Sequence, residues 1–330
     1  MADDVRSAAH RLLRQLHGRG QPRAPKRRGG LVQVRKGTAR SGDVDLYYED
    51  MGDPNDPAVL LIMGLGAQLL LWRTAFCEKL VAEGYRVIRY DNRDVGLSTK
   101  TERVKAGRKL PRMIRFWFGL PGKSTYALED MADDAVAVLD HLGIERAHVV
   151  GASMGGMIAQ IVAARYSART RSLAVIFSSN NRAFLPPPAP RALLAVIQGP
   201  PPDSPRDVIV DNAVRVTRII GSPAYPAPEQ RIREEAIEGY ERCYYPWGIA
   251  RHFSAVLASG SLVRYDRQIT APTVVIHGLA DKLMRPSGGR AVARAIRGAR
   301  LVTFEGMGHE LPEQLWDQVI GELTTTFAEG

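Results

Sequence analysis

Residues 147–156 constrain the fold of this chain more than any other stretch. A mostly apolar run, residues 147–152, leads without a linker into Gly151-Ala152-Ser153-Met154-Gly155-Gly156, and the helical pattern of residues 154–166 starts at once. A strand that passes straight into a helix leaves room only for a tight elbow. The serine is then forced into unfavourable dihedrals, and the glycines, Gly151 and Gly155 foremost, let neighbouring backbone pass close. The Ser153 hydroxyl is presented at a helix amino end, where peptide dipoles favour developing negative charge. A glycine-rich structural turn is the bland alternative, and the strand before and the helix after it speak against that reading.

The same alternation runs through most of the chain. Residues 58–63, 86–90, 173–178, 273–277 and 301–304 also read as strands, many continuously apolar, as buried parallel strands are. Residues 72–83, 128–142, 286–296 and 313–327 carry helical patterns, and residues 31–35 and 44–49 read as an opening hairpin. The fold class this predicts is α/β, a mostly parallel sheet with helices on both faces. Between residues 181 and 267 the alternation breaks. Proline clusters and helical segments such as 206–219 and 229–244 replace it, which predicts a helical cap inserted into a core of residues 30–180 and 268–330.

The formal charge of +10 suggests nucleic acid until it is divided along the chain. Residues 1–40 hold eleven Lys or Arg against two Asp, whereas the remaining 290 residues carry 34 basic and 33 acidic side chains. A basic arm on a balanced body argues against a basic groove, and no nucleic-acid-binding motif is present, so no nucleic-acid partner is expected. In the arm, residues 1–29, Val5, Ala8, Ala9, Leu12, Leu13 and Leu16 recur at helical spacing before a Pro/Gly/Arg connector. It reads as a solvated tail, or as a segment that docks onto an anionic membrane or a partner. Residues 100–123 combine six Lys or Arg at positions 103–115 with Phe116, Trp117 and Phe118. They read as a surface loop with an aromatic anchor, or as a lid or interfacial contact.

The longest near-unbroken apolar run, residues 58–67, has ten residues where a membrane span needs about twenty. With no secretory pattern at the start, cytoplasmic residence is the expectation. Cys77 and Cys243 stand far apart, which excludes a disulfide framework and a cysteine-rich zinc module.

A serine hydroxyl is a poor nucleophile without a base of suitable pKa. Among the seven histidines, His309 lies in the glycine-flanked loop 305–309 after the last strand, where such a sheet delivers side chains to its carboxyl edge. The base needs an acid to orient it and to stabilise its charged form. Asp281 falls just past the strand 273–277, while the end of 173–178 offers Ser179, Asn180 and Asn181 but no carboxylate. Two backbone amides should bind the oxyanion. One is that of Met154, and the other comes from the glycine loop after the first buried strand, that of Leu65, with Gly64 as the alternative. This chemistry requires neither a metal nor an organic cofactor.

At these residues the chain resembles the α/β-hydrolase superfamily from about residue 30 onward, with Ser153, Asp281 and His309 in that family's triad order. The segments MGLGAQLLLW, YDNRDVGLST, DMADDAV and GASMGGMIAQ are similar to the aclacinomycin-methylesterase-like branch and related actinobacterial carboxylesterases and lipases. Met63 departs from the resemblance, because many members carry a histidine there beside the oxyanion loop. Asp91 and Arg93 resemble the family's structural D-x-R turn. The resemblance implies a serine carboxylic-ester hydrolase working through an acyl-enzyme on a small or lipid-like ester. A thioesterase, a lipase or phospholipase with the same triad, carbon–carbon hydrolase chemistry and a non-hydrolytic binding protein on the same scaffold are the alternatives. The serine disfavours relatives with an aspartate nucleophile. Tyr225, Tyr240, Tyr244, Tyr245, Trp247 and Phe253 in the insertion read as pocket lining or as core packing. Trp72, Tyr244, Tyr245 and Trp247 are the residues expected at the substrate.

Overall fold

A computed structural model describes residues 32–101 and 109–330, with side chains from residue 113 onward in the second stretch. Eight strands form one sheet: β1 (Val34–Ser41), β2 (Val44–Met51), β3 (Ala58–Ile62), β4 (Arg86–Tyr90), β5 (Ala147–Ala152), β6 (Thr170–Ile176), β7 (Thr273–Gly278) and β8 (Arg300–Phe304). Their order is β1-β2-β4-β3-β5-β6-β7-β8. β1, β2 and β4 pair antiparallel and the remaining pairs are parallel. β3, β4, β5 and β7 are buried at every residue, which is why their sequences show no alternation, whereas β1 and β8 at the two edges alternate. The first strand runs Val34–Ser41, not 31–35, because its partner β2 fixes the register from Ser41↔Val44 outward.

Helices cover both faces. α1 (Thr74–Ala82) and α11 (Trp316–Phe327) lie on one, and α3 (Leu128–His141), α4 (Met154–Arg165) and α10 (Pro286–Ala295) on the other. α2 (Lys109–Trp117) precedes α3. Between β6 and β7 come α5 (Pro190–Ile197), α6 (Arg206–Ile220), α7 (Glu229–Arg242), α8 (Trp247–Ser259) and the short α9 (Val263–Asp266). Within β3, Leu60 and Ile62 pack against α3 and α4, and Val59 and Leu61 against α1 and α11, as the two-residue period of a strand dictates. Each such buried aliphatic side chain contributes about 1.5–3 kcal/mol. α4 is buried at residues 154–163 because the sheet and α3 both cover it.

After β3 the chain steps outward to β4, then returns past β3 to β5 and continues the other way. The reversal opens a crevice at the carboxyl ends of β3 and β5, the place where a sheet of this kind receives ligands.

One buried carboxyl on this scaffold carries a stability prediction. Asp266, at the end of α9, is fully buried. Its Oδ2 accepts a hydrogen bond from Asn180 at 2.7 Å, and among the described residues its Oδ1 has no hydrogen-bond partner. Burial pushes this carboxyl up to about 7, outweighing the Asn180 bond that acts to lower it. An unfolded aspartate ionises near ~3.9. Between those values the unfolded chain has released a proton that the folded chain keeps, so stability falls as pH rises through that window. Asp266→Asn is therefore expected to stabilise the protein, relative to wild type, by on the order of 3 kcal/mol more at pH 8 than at pH 4.5. Urea unfolding at the two pH values measures the difference, and equal effects at both would contradict it.

Candidate active site

Ser153 joins β5 to α4 with φ 56° and ψ −122°, a conformation that side-chain-bearing residues rarely adopt and that costs about 1–3 kcal/mol. Neighbouring backbone enforces it. A Cβ on Gly151 would overlap the Gly155 carbonyl, and one on Gly155 would overlap the carbonyl of Ile62. The turn is pinned by the Ser153 N–H donating to Ile176 O at 2.9 Å and by the Ser178 hydroxyl donating to Ser153 O at 2.6 Å.

His309 follows β8. Its N–H donates to Ile220 O at 2.8 Å, the preceding Gly308 N–H donates to Ser222 Oγ at 2.9 Å, and the Glu310 carboxylate accepts from the Ser222 N–H at 2.6 Å. The loop is thus fastened to the carboxyl end of α6. The imidazole lies against Phe177, with ring centroids 4.9 Å apart. Its Nε2 is 3.0 Å from Ser153 Oγ and its Nδ1 is 2.7 Å from Asp281 Oδ2. Asp281, just past β7, has a fully buried side chain whose Oδ1 accepts from the Leu283 and Met284 N–H groups, each at 2.8 Å. An ionised carboxylate only accepts, so Nδ1 carries the proton and the Nε2 lone pair faces the Ser153 hydroxyl.

His277, a second histidine near this carboxylate, has a different part. Its Nε2 donates to Met284 O at 2.7 Å and lies 3.7 Å from Asp281 Oδ2. Burial lowers its pKa, so it is neutral at pH 7 and braces the turn that holds Asp281.

The glycine loop after β3 closes over the elbow. Gly64 backs directly onto Ser153, since a Cβ there would sit 3.0 Å from Ser153 Cβ. Residues 64–67 form a turn closed by the Ala67 N–H donating to Gly64 O at 3.3 Å, with Gly66 at φ 68°. Asn92 Nδ2 donates to Met63 O at 2.9 Å and steadies the approach. The Gly66 N–H donates to His252 Nδ1, so the Gly66 and Ala67 amides are engaged and the Leu65 amide takes part in neither bond. Met154 is the first residue of α4, where backbone N–H groups have no acceptor within the helix.

Trp72 is 2% exposed, stacks on Phe76 with centroids 5.8 Å apart and belongs to the core between the sheet, α1 and α11, so its expected place at the substrate is corrected. The chain makes a short 3-10 turn at Leu69–Leu71 and α1 begins only at Thr74, which turns the indole inward. Tyr244 is half-buried beside Tyr240. The Tyr245 hydroxyl accepts from Arg251 at 2.7 Å and donates to Thr101 O at 3.3 Å, and Trp247 is exposed at the start of α8. A cavity of about 570 Å³ opens between α5 and α6 beside Lys282, and neither Ser153 nor any of these four lines it.

Asp91 accepts from the N–H groups of Leu69 and Leu97, and Arg93 pairs with Asp134 at 2.6 Å; both brace loops. The arm of residues 1–29 lies outside the described residues, as do residues 102–108 of the 100–123 segment. In the remainder of that segment Phe116 packs inward, while Trp117 and Phe118 are exposed beside Phe184. Among the described residues no helix is long and apolar enough to cross a membrane.

The chain's relatives agree with this architecture. Rhodomycin D methylesterase DauP of Streptomyces sp. (strain C5) is 31% identical over 292 residues, spanning 82% of this chain and 90% of the relative. The bifunctional esterase/perhydrolase DCH of Acinetobacter calcoaceticus is 24% identical over 288 residues, spanning 83% and 92%. Among solved structures, a meta-cleavage product hydrolase from Pseudomonas fluorescens IP01 superposes with a TM-score of 0.70 at 21% identity, covering 89% of this chain and 97% of that one, a likeness of fold. The family described as the alpha/beta hydrolase fold matches residues 57–314, and this chain belongs to that family as a hydrolase of the esterase type.

Proposed function

We propose that this hydrolase cleaves small carboxylic esters, methyl esters among them, through an acyl-enzyme on Ser153. The observation that carries the reading is the unbroken contact from Ser153 Oγ through His309 to the buried Asp281, at 3.0 and 2.7 Å. Ser153 Oγ attacks the ester carbonyl as His309 Nε2 takes its proton. His309 then gives that proton to the departing alkoxide, which leaves as the alcohol. A water molecule attacks the acyl-enzyme as His309 Nε2 takes one of its protons, and His309 then gives that proton to Ser153 Oγ as the acid leaves. Asp281 holds the ring in the productive tautomer and stabilises the imidazolium without itself taking a proton. The amides of Leu65 and Met154 bind the oxyanion, and the helices of residues 181–267 act as the cap over the crevice.

The inclusion of methyl esters rests on the similarity to rhodomycin D methylesterases, which spans most of both chains. A panel of methyl esters, p-nitrophenyl esters of increasing acyl length and acyl thioesters tests the substrate class. Methyl and short-chain esters are expected to give kcat/KM at least about tenfold above matched thioesters, a difference of at least about 1.4 kcal/mol in transition-state stabilisation. The reverse order would make the protein a thioesterase, and a steep rise with acyl length would make it a lipase.

A further inference from the structure

His252 lies 186 residues from the glycine loop in sequence and touches it directly. It sits on α8, is fully buried and has both ring nitrogens engaged. The Gly66 N–H donates to Nδ1 at 3.0 Å, and Nε2 lies 2.7 Å from the backbone carbonyl of Arg93. An amide N–H can only donate and a carbonyl can only accept, so the ring is fixed as the neutral Nε2–H tautomer. Burial pushes its pKa down to about 4, in keeping with a ring that must stay neutral to accept from Gly66.

The bond falls at a sensitive place. Gly66 is the third residue of the turn closed by Ala67 N–H to Gly64 O, and its positive φ makes the Leu65–Gly66 peptide the unit whose flip would convert one turn type into another. The Gly64 carbonyl is held from one side by Ala67 and the Gly66 amide from the other by His252, so both peptides flanking the Leu65 Cα are pinned. Other contacts fasten the insertion around this point. Arg251 of α8 forms a two-pronged pair with Asp94 at 2.8 and 2.9 Å, and Gln68 Nε2 donates to the carbonyls of Gly239 and Cys243 at the end of α7 at 2.6 and 2.9 Å.

We propose that His252 is a positioning residue for the oxyanion hole, through which helix α8 of the insertion sets the orientation of the Leu65 amide. The inference rests on the Ser153 acyl-enzyme reading above and adds that the insertion is part of the catalytic architecture as well as a cover. Two near-isosteric variants separate this role from packing. His252→Asn presents its carbonyl oxygen where Nδ1 stands and keeps an acceptor for Gly66. His252→Gln presents its amide nitrogen where Nε2 stands, keeps the donor to Arg93 and gives up the acceptor. His252→Gln is expected to lower kcat for p-nitrophenyl acetate about 10- to 100-fold with KM within about twofold, because misplacement of one oxyanion donor acts on the transition state. His252→Asn is expected to stay within about threefold of wild type, with both variants melting close together. Equal losses in the two variants, or full kcat in His252→Gln, would overturn the proposal.

Should neither variant fold, nitrogen-15 NMR of the wild-type protein decides. The His252 ring is expected as the Nε2–H tautomer, with its Nδ1 resonance moving when methylboronic acid forms its tetrahedral adduct on Ser153. An Nδ1–H tautomer, or a resonance indifferent to the adduct, would count against it. Fluorophosphonate titration of each folded protein keeps the two readings apart. Absence of labelling at Ser153 in the wild type removes the esterase reading itself, whereas full labelling with unchanged His252→Gln turnover removes only the role of His252.

Discussion

Ser153→Ala is expected to lower kcat for p-nitrophenyl ester hydrolysis by about 10⁵- to 10⁶-fold, the range seen when a nucleophile that acts as a unit with its base is removed. The loss is expected in kcat with KM little changed, since removal of the hydroxyl oxygen leaves the crevice and the loop around it intact. The fold does not depend on the hydroxyl. The elbow is pinned by the Ser153 backbone, whose N–H donates to Ile176 O and whose carbonyl accepts from Ser178, and alanine keeps both. Thermal unfolding followed by circular dichroism should therefore match wild type within a few degrees. A variant retaining turnover within about tenfold would mean that another group does the chemistry.

Asp281→Asn is the second large effect, an expected loss of about 10⁴-fold in kcat. The geometry gives a specific reason. Oδ1 of Asp281 accepts from two backbone N–H groups, those of Leu283 and Met284, so the asparagine carbonyl oxygen must take that position and its NH2 must face His309 Nδ1. An NH2 group only donates, so Nδ1 becomes the acceptor and the proton moves to Nε2. That nitrogen then points an N–H at the Ser153 hydroxyl and has no lone pair with which to take its proton. A loss smaller than about 100-fold would show that Asp281 does not set the tautomer.

The parts of the site that were legible in the sequence are those fixed locally. The elbow announces itself because strand, glycines and helix are contiguous, and His309 and Asp281 because a parallel sheet delivers the residues following its strands to one edge. Helix identities follow from period and the buried strands from short continuous apolar runs, and α4 and β5 begin and end within a residue of the predicted bounds. What escaped depended on contacts between distant segments. The first strand begins at Val34 instead of residue 31 because pairing with β2, not its own weakly apolar sequence, decides it. Trp72 looked like a pocket residue since spacing does not reveal that the chain makes a 3-10 turn just before it. His252 is the single histidine of residues 181–267, and nothing in the sequence ties it to Gly66, 186 residues away. Ser222 and Glu310, which fasten the His309 loop to the end of α6, were hidden for the same reason.

The claim on which the rest depends is that His309 activates the hydroxyl of Ser153. Treatment of the protein with a fluorophosphonate, followed by intact-mass and peptide-mapping mass spectrometry, tests it directly. One adduct per chain is expected, located on Ser153, with esterase activity lost in step with labelling. An unlabelled protein that hydrolyses esters, or an adduct confined to another serine such as Ser178, would contradict it.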